Sequence, residues 1–162
     1  MVLLDDGLLV IFGGQGKGDV GLNDLFVLDL MDTLSWRKPE VTGTPPSPRW
    51  NAIVWKRKDL LFVFGGLNFI EGRTFYHVFD LGCGDGGNLT DCFVLDTKTW
   101  VWSAVEQFGE VPPATQRYRS TLCGPKLVCI GEKGPEKKKK KTDWHLLVID
   151  VLFEQVLCVC LL

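Results

Sequence analysis

Short apolar runs separated by polar, glycine-bearing turns set the pattern of this chain, and the runs repeat. "LLVIFGG" at 8–14 returns as "LLFVFGG" at 60–66 and, decayed, as "KLVCIGE" at 126–132. Downstream of each comes a second run: "DLFVLDL" at 24–30, "DCFVLDT" at 91–97 and "DWHLLVID" at 143–150. Tryptophans follow the first two, Trp36 and then Trp100 and Trp102. Two further segments, "GTPPSPRWNAIVW" at 43–55 and "GEVPPATQRYRSTLC" at 109–123, share a skeleton: Gly, Pro-Pro, Arg, an aromatic residue, then an alternating apolar run. Aromatic and β-branched runs bounded by glycine predict strands. In the first unit they fall near 1–4, 8–12, 25–30 and 34–38, and in the second near 50–55, 60–64, 92–96 and 100–105. The third has them near 119–123, 126–130, 145–149 and 152–159. "DDG" at 5–7 and "RKD" at 57–59 read as the tight hairpin turns between first and second strands.

The first glycine pair precedes the second by 52 residues, and the second precedes the third by 66. Four strands in a unit of that length point to a β-propeller. Gly13-Gly14, Gly65-Gly66, the remnant Gly131, and the tryptophans Trp36 and Trp102 give the chain a resemblance to the kelch-repeat family. Arg49 and Arg117, each followed by an aromatic residue, look like the start of the next repeat's first strand. The resemblance implies an all-β kelch-type β-propeller fragment of about three four-stranded antiparallel blades, over residues 1–42, 48–106 and 117–160. It does not imply one function, because kelch domains serve many.

A blade covered on both faces by its neighbours explains why the runs are almost continuously apolar. Three blades do not close a ring, since propellers have about four to eight. The chain therefore reads as a fragment or truncated product of a longer propeller. Its end blades are expected to expose apolar faces that aggregate or recruit a partner, the remaining blades of a longer chain among them. The third unit departs from the pattern: Glu132 replaces its second glycine and no tryptophan stands near 152–157.

Composition narrows the function classes. A net charge of −2 over 162 residues argues against a general nucleic-acid binder. No run of about 18 uninterrupted apolar residues exists, so no membrane span is expected. Met1 is followed by "VLLDDGLLVIFGG" without a basic segment, so no signal peptide is expected and the sequon Asn88-Leu89-Thr90 is expected to stay unmodified. The six cysteines form no C-x-x-C pair. Cys92, Cys123, Cys129 and Cys158 sit in apolar runs, where a thiol behaves as a small hydrophobe, in a reducing compartment. The expected location is the cytoplasm, with the nucleus as the alternative.

Strand alternation sends the loops after strands two and four to the same rim. Three unusual segments use those loops: residues 66–90, residues 132–142, and the Pro-rich connectors 43–48 and 109–115. Loops on a rigid scaffold are where recognition usually sits. The long loop carries "TFYHVFDL" at 74–81 and offers Arg73, Tyr76 and His77 as partner contacts, or forms an extra hairpin that shields the blade edge. Lys137, Lys138, Lys139, Lys140 and Lys141 form a charge run. It is either a solvated loop extended by self-repulsion or a contact for an acidic protein, a phosphate or the import machinery.

Catalytic patterns fail when tested. "LLVIFGGQGKG" at 8–18 looks like a phosphate cradle, but Gly18 follows Gly16-Lys17 where a P-loop needs Ser or Thr. The dinucleotide pattern starting at Gly14 fails at Asp19, and the run that follows reads as strand, whereas either site needs a helix. His77 and His145 are the only histidines and no G-x-S-x-G appears. No catalytic residue, cofactor or metal is expected. The leading expectation is a non-catalytic protein-interaction module, for which the resemblance suggests substrate recognition for a ubiquitin ligase or cytoskeletal contact. A fragment of a metal-dependent propeller enzyme, and a truncated product without independent function, are the alternatives.

Overall fold

The computed structural model describes residues 1–162 apart from 18–19, 33, 69–87, 110–117, 125, 134–142, 153–154 and 162. Among the described residues every regular element is a strand, and the strands form three sheets. The first orders β1 (Val2–Leu3), β2 (Leu8–Gln15), β3 (Gly21–Asp29) and β4 (Trp36–Arg37). The second orders β6 (Ile53–Arg57), β7 (Leu60–Leu67), β8 (Asn88–Asp96) and β9 (Val101–Ala104), with β5 (Thr42–Gly43) outside β9. The third orders β11 (Tyr118–Cys123), β12 (Lys126–Lys133), β13 (Asp143–Leu152) and β14 (Gln155–Leu161), with β10 (Gln107–Gly109) outside β14. Each sheet is one blade, meandering antiparallel through its four principal strands.

The second and third blades have five strands rather than the expected four. The segments between blades do not leave directly as loops; each first lies parallel to the outer strand of the next blade, at β5 and β10. The amides of Thr42 and Thr44 donate to the carbonyls of Trp100 and Trp102, both at 3.0 Å. Gly43, at φ +82°, makes this approach feasible, because a β-carbon there would collide with the Trp102 carbonyl. The added strand covers an otherwise open edge.

The glycine pairs are bulges. In the first blade the register passes from Phe12↔Leu25 to Gly14↔Leu22, so two steps along β2 match three along β3. The second blade repeats this from Phe64↔Cys92 to Gly66↔Leu89. Gly13 and Gly65 both take φ +61°, a conformation that glycine adopts without strain. In the third blade Gly131 pairs with His145 and Glu132 with Trp144 in an unbroken ladder. Where the second glycine is lost, the bulge is lost with it.

The core lies between blades. Leu4, Val10, Phe12, Leu25 and Val27 of the first blade meet Leu61, Val63, Leu95 and Trp102 of the second. From the opposite face of the second blade, Ile53, Trp55, Phe62, Phe64 and Cys92 meet Leu127 and Cys129 of the third. Successive residues of β7 point to opposite faces and both faces are covered, which is why "LLFVF" needs no polar alternation. Trp102 tilts against Phe12 with ring centroids 5.3 Å apart, and Trp55 stacks on Phe62 at 5.1 Å. Cys92 and Cys129 are buried, as expected, but Cys123 is exposed because it sits at the end of β11 beside the turn at Gly124.

Candidate functional site

One end of the blades gathers the strand ends from which the variable loops leave. The segment Arg49-Trp50 crosses this rim and stitches two blades together. The Arg49 amide donates to the Leu22 carbonyl and the Gly14 amide donates to the Arg49 carbonyl, both at 2.9 Å, on the first blade. On the second blade, Trp50 and Leu67 exchange amide hydrogen bonds of 2.9 and 2.8 Å. A β-carbon on Gly13 would stand 2.6 Å from the Arg49 carbonyl oxygen, so the bulge glycine also makes room for this crossing.

The Arg49 side chain has no solvent exposure and every one of its nitrogens is engaged. Nε donates to the Ser47 carbonyl at 2.9 Å and Nη1 to the Gly65 carbonyl at 3.0 Å. Nη2 donates to Ser47 Oγ at 2.9 Å. The Asp91 carboxylate accepts from Nη1 at 2.6 Å and from Nη2 at 3.0 Å, a forked pair that a lysine could not make. The guanidinium carbon also lies 5.4 Å from the centroid of the Phe93 ring. Asp91 keeps 43% of its side chain exposed, so the pair is buried on one side and wet on the other. The arginine locks the bulge at Gly65 to the start of the same blade.

At the opposite ends of the strands, the turns from third to fourth strand repeat one device. Asp29 Oδ1 accepts the amides of Met31 at 2.9 Å and Asp32 at 3.0 Å. Asp96 Oδ1 accepts those of Lys98 at 2.8 Å and Thr99 at 3.0 Å. The Thr99 amide, and then that of Lys98, hold the Asp96 carboxyl below its ordinary value.

The structure places Gly13, Gly14, Gly65 and Gly66 at the bulges, Gly131 inside the β12 ladder, and Arg49 at the joint between blades. Trp102 is buried between blades, whereas Trp36, its counterpart by register, is 54% exposed. Arg73, Tyr76, His77, Arg117 and Lys137–Lys141 lie outside the described residues. Sequence reasoning missed Asp91 and Ser47 as partners of Arg49. A signal for Asp91 existed: it opens the second run as Asp24 and Asp143 open theirs. Lys17, Val20 and Leu22 are exposed on the described part of the rim. Among the described residues no three His, Cys, Asp or Glu side chains are grouped to hold a metal ion.

Comparison with known proteins agrees with this architecture. The KLHDC2/KLHL20/DRC7 Kelch-repeats domain matches residues 1–152. Adagio-like protein 3 of Oryza sativa subsp. japonica is 34% identical over 126 residues, 76% of this chain and 18% of that protein. Kelch domain-containing protein 1 of Mus musculus is 32% identical over 155 residues, 89% of this chain and 37% of that protein. The chain thus spans well under half the length of these relatives. The solved structure of YjhT superposes with a TM-score of 0.70 at 20% identity, covering 99% of this chain and 50% of that one, a likeness of fold alone. With glycine-marked blades stacked face to face and a family match over residues 1–152, the chain belongs to the kelch-repeat family.

Proposed function

We propose that this chain is a non-catalytic protein-interaction module that binds a protein partner through the loops after strands two and four. The observation that carries this reading is the joint at Arg49. It ties the base of the 15–21 loop, the end of the 43–48 connector and the base of the 67–88 loop into one hydrogen-bonded cluster. A rigid base with variable loops is how scaffolds separate stability from recognition. Membership of the kelch family supports a scaffold role, and substrate recognition for a ubiquitin ligase or contact with the cytoskeleton are the duties we assign it, in the cytoplasm. Arg73, Tyr76 and His77 supply the anchors on the long loop, since Tyr and Arg are favoured in interfaces, and Lys137–Lys141 supply a contact for an acidic partner.

Replacing residues 68–88 with a short Gly-Ser turn tests this. Far-UV circular dichroism is expected to stay unchanged while partners captured by the intact chain are lost. Capture of the same partners by the shortened chain contradicts the reading.

A further inference from the structure

The connector into the second blade, "GTPPSPRW" at 43–50, holds the dipeptide Ser47-Pro48. Residues 44–48 lie outside the strands, and Thr44, Pro45 and Ser47 are exposed while Pro46 is buried. Thr44, Pro45 and Ser47 each precede a proline, which drives their backbone away from the helical region into extended forms. An exposed, extended hydroxyl residue before proline is the substrate form that proline-directed serine/threonine kinases accept. The corresponding step of the third blade is Thr115-Gln116 before Arg117, without the proline. Ser47 is also part of the joint. Its Oγ accepts from Arg49 Nη2 and its carbonyl from Nε, both at 2.9 Å. With the bonds to Gly65 and Asp91 these make five, one for each N–H of the guanidinium. A further acceptor therefore finds no free donor on Arg49.

We propose that Ser47 is a phosphorylation site for an ATP-dependent, proline-directed serine/threonine kinase, and that the phosphate opens the joint at Arg49. In the transfer, the bond from the γ-phosphorus of ATP to the ADP oxygen breaks and a bond from that phosphorus to Ser47 Oγ forms. The hydroxyl proton passes to the kinase's catalytic carboxylate and ADP leaves. The product carries about two negative charges at neutral pH. Before transfer, Arg49 and Asp91 balance as one cation and one carboxylate. The phosphate adds a second anion to the same guanidinium. It competes with Asp91 for Nη2, which already serves both Ser47 Oγ and Asp91 Oδ2. Asp91, with 43% of its side chain exposed, is the partner that yields, because it can move into water. Drawing the guanidinium toward Ser47 also takes Nη1 from the Gly65 carbonyl, at the base of the 67–88 loop. The second-blade side of the joint is thereby released. This switch depends on the geometry of the joint and not on what the loops bind.

The full chain, incubated with magnesium, ATP and a kinase of this class, tests the proposal. Tandem mass spectrometry locates the phosphate and residue-resolved amide exchange reads the joint. Phosphate is expected on Ser47 and not on Thr115. In the phosphorylated chain the amides of Trp50 and Leu67 should exchange about tenfold faster, while Leu61 and Val63 in the middle of β7 keep their rates. Ser47→Ala, treated in the same way, should keep slow exchange at Trp50 and Leu67. If that variant does not fold by far-UV circular dichroism, removal of the phosphate with a phosphatase takes its place and should restore slow exchange. A peptide of residues 41–52 serves as the control substrate. Modification of the peptide but not of Ser47 in the folded chain overturns the proposal, because the connector then withholds the hydroxyl. Failure of peptide and chain alike overturns it too, as does phosphate on Thr44 in place of Ser47. Phosphate on Ser47 with unchanged exchange at Trp50 and Leu67 overturns the opening of the joint.

Discussion

Replacing Arg49 with methionine keeps most of the side-chain stem and removes the guanidinium. Five hydrogen bonds go: two to Ser47, one to the Gly65 carbonyl and two to Asp91. The Gly65 carbonyl is left without this donor at a cost of about 1 kcal/mol. Breaking a fully buried pair costs roughly 3–5 kcal/mol, but Asp91 is partly exposed and regains water, which lowers the figure. The expected loss is about 2–3 kcal/mol, or roughly 5–10 °C in Tm for a chain of this size. Asp91→Ala should cost more, about 3–5 kcal/mol, because it strands a cation that has no access to water. Arg49→Lys should rescue only part, since an ammonium cannot span both carboxylate oxygens. Urea unfolding monitored by circular dichroism and fluorescence measures all three. A loss below ~0.5 kcal/mol for Arg49→Met, the level of an ordinary surface change, refutes the structural weight placed on this joint. A smaller loss for Asp91→Ala than for Arg49→Met refutes the assignment of which partner is desolvated.

Gly65→Val places a β-branched residue at φ +61° with its β-carbon 2.9 Å from the Leu89 carbonyl, so it should lower Tm far more than deleting Lys137–Lys141. Equal losses in a thermal melt would contradict the bulge assignment. Trp102→Ala should cost about 3–5 kcal/mol and Trp36→Ala under ~1 kcal/mol, because only the first is buried between blades. Asp96 has a folded-state value depressed below its ordinary 3.8, so its contribution is present above that value and is lost as pH falls through the folded one. Asp96→Asn should therefore remove part of the acid-side fall in stability, and an unaltered acid limb in a pH series of melts would count against the turn device.

Strand positions were legible because each apolar run in this chain is bounded by a turn residue, and the twelve principal strands appear where the runs are. The blade architecture was legible for a different reason: the glycine pairs recur, and Gly13 and Gly65 recur because the same bulge is built twice. The extra strands β5 and β10 were not legible. Two or three residues paired in parallel have no periodicity, and nothing in "VTG" announces that its amides will meet Trp100 and Trp102. The Arg49 network was half visible, since the arginine recurred in the repeat skeleton but its partner stands 42 residues away. Trp36 and Trp102 show the limit most plainly. They hold equivalent places in their blades, yet one is exposed and the other buried, because burial there is decided by the neighbouring blade and not by the residue.

The loops rest on a rigid joint between blades, and amide hydrogen exchange resolved by residue reads that rigidity at each strand end. The amides of Gly14, Arg49, Trp50 and Leu67, all hydrogen-bonded across that joint, should exchange as slowly as the central strand β7. Exchange of these four at the rate of the exposed turn amides Met31 and Asp32 would contradict the claim.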